Sequence, residues 1–423
     1  MADATTAPRG TGFARLSWVM LDWAASAFST ILITLVVAYV EKVVFPTGGW
    51  GLPAGVIWAW TLAAAMLIGA LVAPWAAAWA DRRHAHERAV LASIGLGVTG
   101  LITLAAMPPA VAWAVVGGVA IACVGFDLSQ IFTGSLLSRI ASGKDADRLS
   151  SWGFAAGYAG GAIALVGATV FVASHARFGL AVSDALRVAF FATAAWWAIF
   201  SLPAAVARFG DGTAAAHADS SVGELLAFTR QLLHPSAADG GRFGTLVIGG
   251  MLVLGAVQTA IAQFSSLALE EFDLDGEALV RLVLLVQVVA LPGAIGIGWL
   301  STRIGRPAAL AVCTAGWSAV FVLAWFVQTP WQLAWLAVLL AIVLGGIQSV
   351  IRAAVAVGAP EGREGVTFGL MHVGSKLAGF VASLVFGAAQ AVSGNPRVGL
   401  LTLLVQLLAG WWLLASRAKR PRD

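Results

Sequence analysis

Twelve stretches of this sequence are long and almost wholly apolar: residues 16–40, 54–79, 88–108, 111–138, 151–174, 187–208, 243–269, 278–301, 307–328, 332–356, 366–391 and 398–416. An α-helix needs about 20 mainly apolar residues to cross the hydrocarbon core of a bilayer, whereas a barrel strand takes only about 9–11. Because backbone polar groups find no water inside the membrane, a lipid-exposed segment of this length has one solution, the helix. The fold class follows: an all-α membrane protein with twelve transmembrane helices. Composition agrees, since 60% of the 423 residues are hydrophobic and 11% charged, against roughly 45–50% and 25% in soluble domains. The first run exceeds the roughly 7–15 residues of a signal-peptide core and no small-residue cleavage site follows it, so it is expected to be retained.

The breaks between runs carry turn chemistry, as at Pro46-Thr47-Gly48-Gly49, Pro108-Pro109, Gly210-Asp211-Gly212, Thr329-Pro330 and Gly394-Asn395-Pro396. Lys and Arg fall unevenly among them. Eighteen lie in the two termini and the loops that share their side, five in the opposite loops, and two, Arg352 and Lys376, inside predicted spans. By the positive-inside rule both termini are expected to be cytoplasmic. An even number of spans is required for that asymmetry. A multi-pass protein of a bacterial inner membrane is the expected setting.

The longest polar interruption separates six spans from six. We therefore expect an N-terminal bundle over 1–208, a cytoplasmic linker over 209–242 and a C-terminal bundle with a basic tail over 243–423. Within the linker, Ser221-x-x-Glu224 forms a capping box ahead of Leu225, Leu226, Phe228, Leu232 and Leu233, which predicts a short amphipathic helix on the membrane surface.

Polar residues at membrane depth mark the candidate site. A charge at the centre of a membrane helix costs roughly 2.5–3.5 kcal/mol on insertion scales, so it faces protein or a wet cavity. In the first span Asp22, Ser26, Ser29, Thr30 and Ile33 share a helical face. That stripe reads as the wall of a solute path or, alternatively, as an interhelical hydrogen-bond seam. Asp127 lies in the fourth span with Gln130 one turn on. Gln258, Thr259 and Gln263 lie in the seventh span, Gln348 and Arg352 in the tenth, and His372 and Lys376 in the eleventh. Asp22 and Asp127 are the proton-coupling candidates. Asp22, Ser26, Thr30, Gln130, Gln258, Thr259, Gln348, Arg352, His372 and Lys376 are the substrate-binding candidates, with Arg352 and Lys376 able to hold a carboxylate or phosphate. The alternative for the charged members is a fixed structural pair.

Other chemistry is absent from the sequence. There is no Gly-rich loop ending in Lys-Ser or Lys-Thr, hence no ATP engine, and no His-Glu-x-x-His. Neither a metal nor another cofactor is expected, nor a catalytic centre. His84 and His86 read as solvated loop residues. The two cysteines, Cys123 and Cys313, lie far apart in apolar runs. The positive charge sits at segment ends rather than on one nucleic-acid-binding face.

Two loops echo each other. Ala77-Ala78-Trp79-Ala80-Asp81-Arg82 follows the second span and Gly298-Trp299-Leu300-Ser301-Thr302-Arg303-Ile304-Gly305-Arg306 the eighth. Both resemble the cytoplasmic loop motif Gly-x-x-x-Asp-Arg-x-Gly-Arg of the major facilitator superfamily, with Ala77 in the Gly place of the first copy and Thr302 in the Asp place of the second. The resemblance implies two six-helix bundles, a central cavity lined by spans one, four, seven and ten, and a cytoplasmic gate to which Asp81, Arg82 and Arg303 are assigned.

A narrower resemblance, from Ser17 to about Leu408, is to the vacuole effluxer-like family, which includes fungal vacuolar amino-acid effluxers. Ser17-Trp18 with Asp22-Trp23-Ala24 and Ser26-Ala27-Phe28, Trp152-Gly153-Phe154-Ala155 with Gly157-Tyr158 and Gly160-Gly161, Gly345-Gly346-Ile347-Gln348 with Arg352, and Gly362-Arg363-Glu364 with Phe368-Gly369 and Lys376 carry it. Leu21 and Ala25 stand where the family has Tyr and Asn, Thr133-Gly134 replaces Tyr-Asn, and Ile351 and Ala353 replace serines. The resemblance implies a secondary transporter of a small solute, an amino acid or related zwitterion, exported by alternating access, with the bilayer and protons as its other partners and a monomer as the working form. Two rivals stand beside it: transport of an amphipathic solute such as a lysolipid, peptidoglycan fragment or drug, and a non-transporting sensor or assembly protein on the same scaffold.

Overall fold

The computed structural model describes residues 11–210, 227, 230, 240–271 and 276–416. Among these residues twelve helices are long and apolar enough to cross a membrane. They are α1 (Gly12–Val44), α2 (Ala54–Arg83), α3 (His86–Ala106), α4 (Ala112–Ile140), α5 (Gly143–Ala173), α6 (Val182–Val206), α7 (Gly240–Glu271), α8 (Gly276–Ile304), α9 (Arg306–Leu323), α10 (Pro330–Gly358), α11 (Glu364–Ser393) and α12 (Pro396–Ser416). Each apolar run in the sequence falls on one of them. Most of the linker, with its capping box and amphipathic stretch, lies outside the described residues. So do both ends of the chain.

Helix ends depart from the runs in an instructive way. α5 begins at Gly143, so Lys144–Arg148, expected as loop, form its first turns. The apolar count marks only the part of a helix that lipid must cover. The ladder of hydrogen bonds runs on into the interface, where charged side chains are solvated, and Asp145 there complements the helix dipole. α1 departs differently. It is α-helical from Gly12 to Ile31 and then π-helical over Leu32–Val36 and Val40–Val44.

The chain forms two compact units: Met1–Ile140 with Ala156–Asp211, and Gly212–Asp423 with Ala141–Ala155. The first turns of α5, placed by sequence in the first bundle, thus pack as part of the second unit.

In the first unit α3 and α4 meet backbone to backbone. A Cβ added to Gly100 would lie 2.7 Å from the Gly118 carbonyl oxygen, and one added to Gly118 2.8 Å from the Gly100 carbonyl oxygen. Two turns along α4, Gly125 meets the backbone of Gly97. Lipid tails are as apolar as leucine, so such close approach, rather than hydrophobicity, drives helices together. Phe28 of α1 stacks on Trp197 of α6 at 5.1 Å, both fully buried.

The second unit is built likewise. A Cβ on Gly293 of α8 would meet the Ile342 carbonyl oxygen of α10 at 2.6 Å, and Gly255 of α7 faces Gly379 of α11. One device recurs in both halves. Arg187 of α6 donates to the carbonyls of Ala105 and Ala106 at the end of α3 (2.8 and 2.9 Å). Arg397 of α12 donates to those of Trp325 and Val327 just beyond α9 (2.7 Å each). In each case a guanidinium fork satisfies orphan carbonyls at a helix end.

Candidate functional site

The deep carboxylates belong to the first unit, and α1 and α4 place them. The Trp18 indole donates to the Thr133 carbonyl at 2.7 Å, and the Phe28 and Phe126 rings lie 5.6 Å apart. The two helices are therefore antiparallel, and interpolating between these contacts sets Asp22 level with Gln130 and Asp127 level with Ser26. The two carboxylates differ in depth by about 5 Å at 1.5 Å per residue. Both are 6% exposed. Gly69 of α2 faces Asp127, where a Cβ would sit 3.6 Å from Oδ2. Thr30 is buried, and its carbonyl accepts the Thr34 hydroxyl at 2.7 Å. The half-buried Ser26 packs on α5, its hydroxyl 2.6 Å from where Gly157 would carry a Cβ. Ile33, at the end of the stripe, is exposed.

Several candidates in the second unit are engaged with protein. The Thr259 hydroxyl donates to the Gly379 carbonyl across α7 and α11 at 3.0 Å. The Gln348 amide donates to the Leu344 carbonyl of its own helix at 3.2 Å. Gln258 is exposed, while His372 and Lys376 are half-buried on either side of Ser375. Arg352 grips the start of α5: Nε donates to the Ser150 hydroxyl at 3.0 Å, a terminal nitrogen donates to the Ser150 carbonyl at 2.8 Å, and the guanidinium lies 4.2 Å over the Phe154 ring.

More bonds gather around that grip. The Ser150 hydroxyl donates to the Ser349 carbonyl at 2.8 Å, and the Ser151 and Ser349 hydroxyls are 3.3 Å apart. Arg306 Nε pairs with Asp147 at 2.9 Å while another of its nitrogens donates to the Gly143 carbonyl at 2.6 Å. All of these residues lie in the second unit. Of the assigned gate residues, Arg303 is exposed and stacks on Trp299 of its own helix at 4.9 Å, and Arg82 is exposed. Beside them Arg306, at the start of α9, makes a cross-helix pair with Asp147. Sequence reasoning missed Asp147, because it sits in a segment that reads as loop.

Asp81 is buried, and its partner corrects a reading of the sequence. His86, expected to be solvated, has no exposed surface. Its Nε2 lies 2.7 Å from Asp81 Oδ1 and its Nδ1 2.6 Å from an Arg139 nitrogen. Arginine only donates, so Nδ1 accepts and the proton on Nε2 is given to Asp81. The relay ties the end of α2 to the start of α3 and the end of α4. Its signal was the sharp reversal between Asp81 and His86, where His84 takes a left-handed φ of 49°. Replacing His86 with Leu is expected to lower thermal stability by about 1–2 kcal/mol, since the buried Asp81 carboxylate then loses one of its hydrogen bonds. His86→Gln, which both donates and accepts, should recover part of that loss. Unfolding of the purified protein in detergent measures both.

Residues 41–420 match the family described as vacuole effluxer Atg22 like. The island at Ser17–Phe28 precedes the match, and the other three islands fall inside it. YxiO of Bacillus subtilis (strain 168), an uncharacterized MFS-type transporter, is 24% identical over 404 residues, covering 94% of this chain and 93% of its own. The E. coli fucose:proton symporter FucP superposes with a TM-score of 0.74 at 13% identity, over 96% of this chain and 98% of that one. The human organic anion transporter MFSD10 does so with a TM-score of 0.70 at 14% identity, over 96% and 100%. Likeness at such identities speaks for the fold. Together with the family match over most of its length, it makes this chain a multi-pass membrane protein of the major facilitator superfamily, and the chain belongs to the vacuole effluxer Atg22-like family.

Proposed function

We propose that the protein is a secondary active transporter that exports a small zwitterion, an amino acid or close relative, by alternating access, with a proton carried on Asp127 or Asp22. The observation that carries the reading is the pair of carboxylates on α1 and α4, both buried and within about one helical turn of each other in depth. Intramembrane carboxylates mark ion or substrate pathways. A carboxyl shut away from water keeps its proton, and one opened to water or to a cation gives it up, so alternating exposure moves a proton between compartments. The transporter relatives and the family's effluxer name support the reaction class and the direction. The zwitterion rests on resemblance and on the presence of both charge signs among the candidates. Because both six-helix halves lie in one chain, a monomer suffices.

The direct test is reconstitution of the purified protein into liposomes with an imposed pH gradient and a panel of labelled amino acids. We expect one or more to move against its own gradient, with the movement abolished by a protonophore. Folded, reconstituted protein that moves none of them in either direction would overturn the proposal.

A further inference from the structure

At the end of α1 remote from the N-terminus, we infer a second solute site: a subsite that receives a small zwitterion with its ammonium on Glu41 and its anionic group on Lys42. The inference deepens the transport reading and rests on it for its place on the solute's route. Glu41 and Lys42 line a concavity of about 750 Å³ together with the loop that follows α1. The site is distinct from the deep carboxylates, since Glu41 lies eleven residues beyond Thr30, about 16 Å along the helix.

Three features of the backbone make it a built site rather than a loose loop. The loop is cross-braced: the Gly48 amide donates to the Phe45 carbonyl at 3.0 Å, the Gly49 amide to the Leu52 carbonyl at 3.0 Å, and the Leu52 amide to the Gly49 carbonyl at 2.9 Å. Within it Gly48, Trp50 and Gly51 all take positive φ, at 82°, 52° and 76°. For a bulky residue such as Trp50 that conformation is strained, because Cβ crowds the carbonyl oxygen. Strain of this kind persists where surrounding structure enforces it, and it gathers at ligand clamps. Finally, Val40–Val44 is π-helical, a rare geometry that is frequent at functional sites.

The side chains complete the fit. Among the described residues neither Glu41 nor Lys42 has an ion pair or a side-chain hydrogen bond, so both charges are available to a ligand. Both line the same concavity, so a ligand that carries both charge signs can meet the two of them at once. The floor is Phe45, 3% exposed, with its ring directly against Gly49 and edge-on to Trp50 at 5.0 Å. Two sources present this chemistry at a membrane surface, a free amino acid and the headgroup of phosphatidylethanolamine.

The test uses full-length Thr47→Cys protein in phosphatidylglycerol nanodiscs, with maleimide labelling of the new cysteine as the readout. Thr47 is exposed and lines the concavity, and the native Cys123 and Cys313 are buried. Leucine is expected to slow labelling, while N-acetyl-leucine, lacking the ammonium, and leucinamide, lacking the carboxylate, are not. Glu41→Gln or Lys42→Gln should each weaken protection about tenfold or more, the value of one charge-assisted hydrogen bond. If phosphatidylethanolamine nanodiscs protect without added leucine, and both substitutions abolish that protection, the site stands with the headgroup as its zwitterion. Equal protection by all three leucine compounds, protection indifferent to both substitutions, or none by leucine or headgroup overturns the inference. Leucine uptake by the same protein in liposomes separates the two readings. Uptake without protection sinks the subsite alone, and protection without uptake sinks the transport reading alone.

Discussion

Asp127→Asn protein in liposomes is expected to lose gradient-driven accumulation of solute while still exchanging labelled for unlabelled solute across the membrane. The amide has the carboxyl's shape and can neither gain nor lose a proton at working pH. Exchange needs the solute site and the conformational change alone, so it survives. Accumulation draws on the proton gradient, of which each pH unit is worth about 1.4 kcal/mol, or about tenfold in solute ratio for every proton moved. That factor should vanish. Asp22→Asn in parallel assigns the role, since the two carboxylates are equally buried, at 6% exposed each, and burial does not choose between them. Full gradient-driven accumulation by the Asp127→Asn protein would remove that residue from coupling.

What the sequence revealed depended on which physical constraint acted on each residue. The twelve helices were legible because the bilayer requires an apolar length and an internally bonded backbone wherever a chain crosses it. Asp22 and Asp127 were legible for the same reason inverted, as costly groups amid apolar residues. Helix ends carry no such constraint. The turns from Gly143 to Arg148 are polar and look like a loop, yet they hold Asp147, and with it the pair to Arg306. Whether a polar residue meets a solute or another helix was beyond sequence, because that depends on which helices become neighbours. Thr259 and Arg352 read as solute ligands by residue type, and each is bonded to a neighbouring helix. His86 escaped notice because a loop position implies solvent, and only the tight reversal at His84 returns it to Asp81.

The ties at the start of α5 lead to the second large effect. α5 begins in one unit and continues in the other, so a change of state in which its first turns leave α9 and α10 must break the Asp147–Arg306 pair and the bonds joining Ser150 and Ser151 to Ser349 and Arg352. Asp147 is 3% exposed and Arg306 24% at the side chain. Removing one partner of a pair buried this far costs about 3–5 kcal/mol when it leaves the other charge uncompensated, and solvent at Arg306 reduces that. A remaining cost of about 1.4 kcal/mol already shifts an equilibrium tenfold. Ser349 is fully buried beneath Ser150 and Ser151, so Ser349→Cys supplies a reporter that meets maleimide only when α5 lifts. Arg306→Met in that background is expected to raise the labelling rate about tenfold or more. With Ser349 intact, the buried Cys123 and Cys313 should stay unreactive, which separates opening from unfolding. A labelling rate that Arg306→Met leaves unchanged would mean that the ion pair is incidental and that the serines and Arg352 hold α5 by themselves.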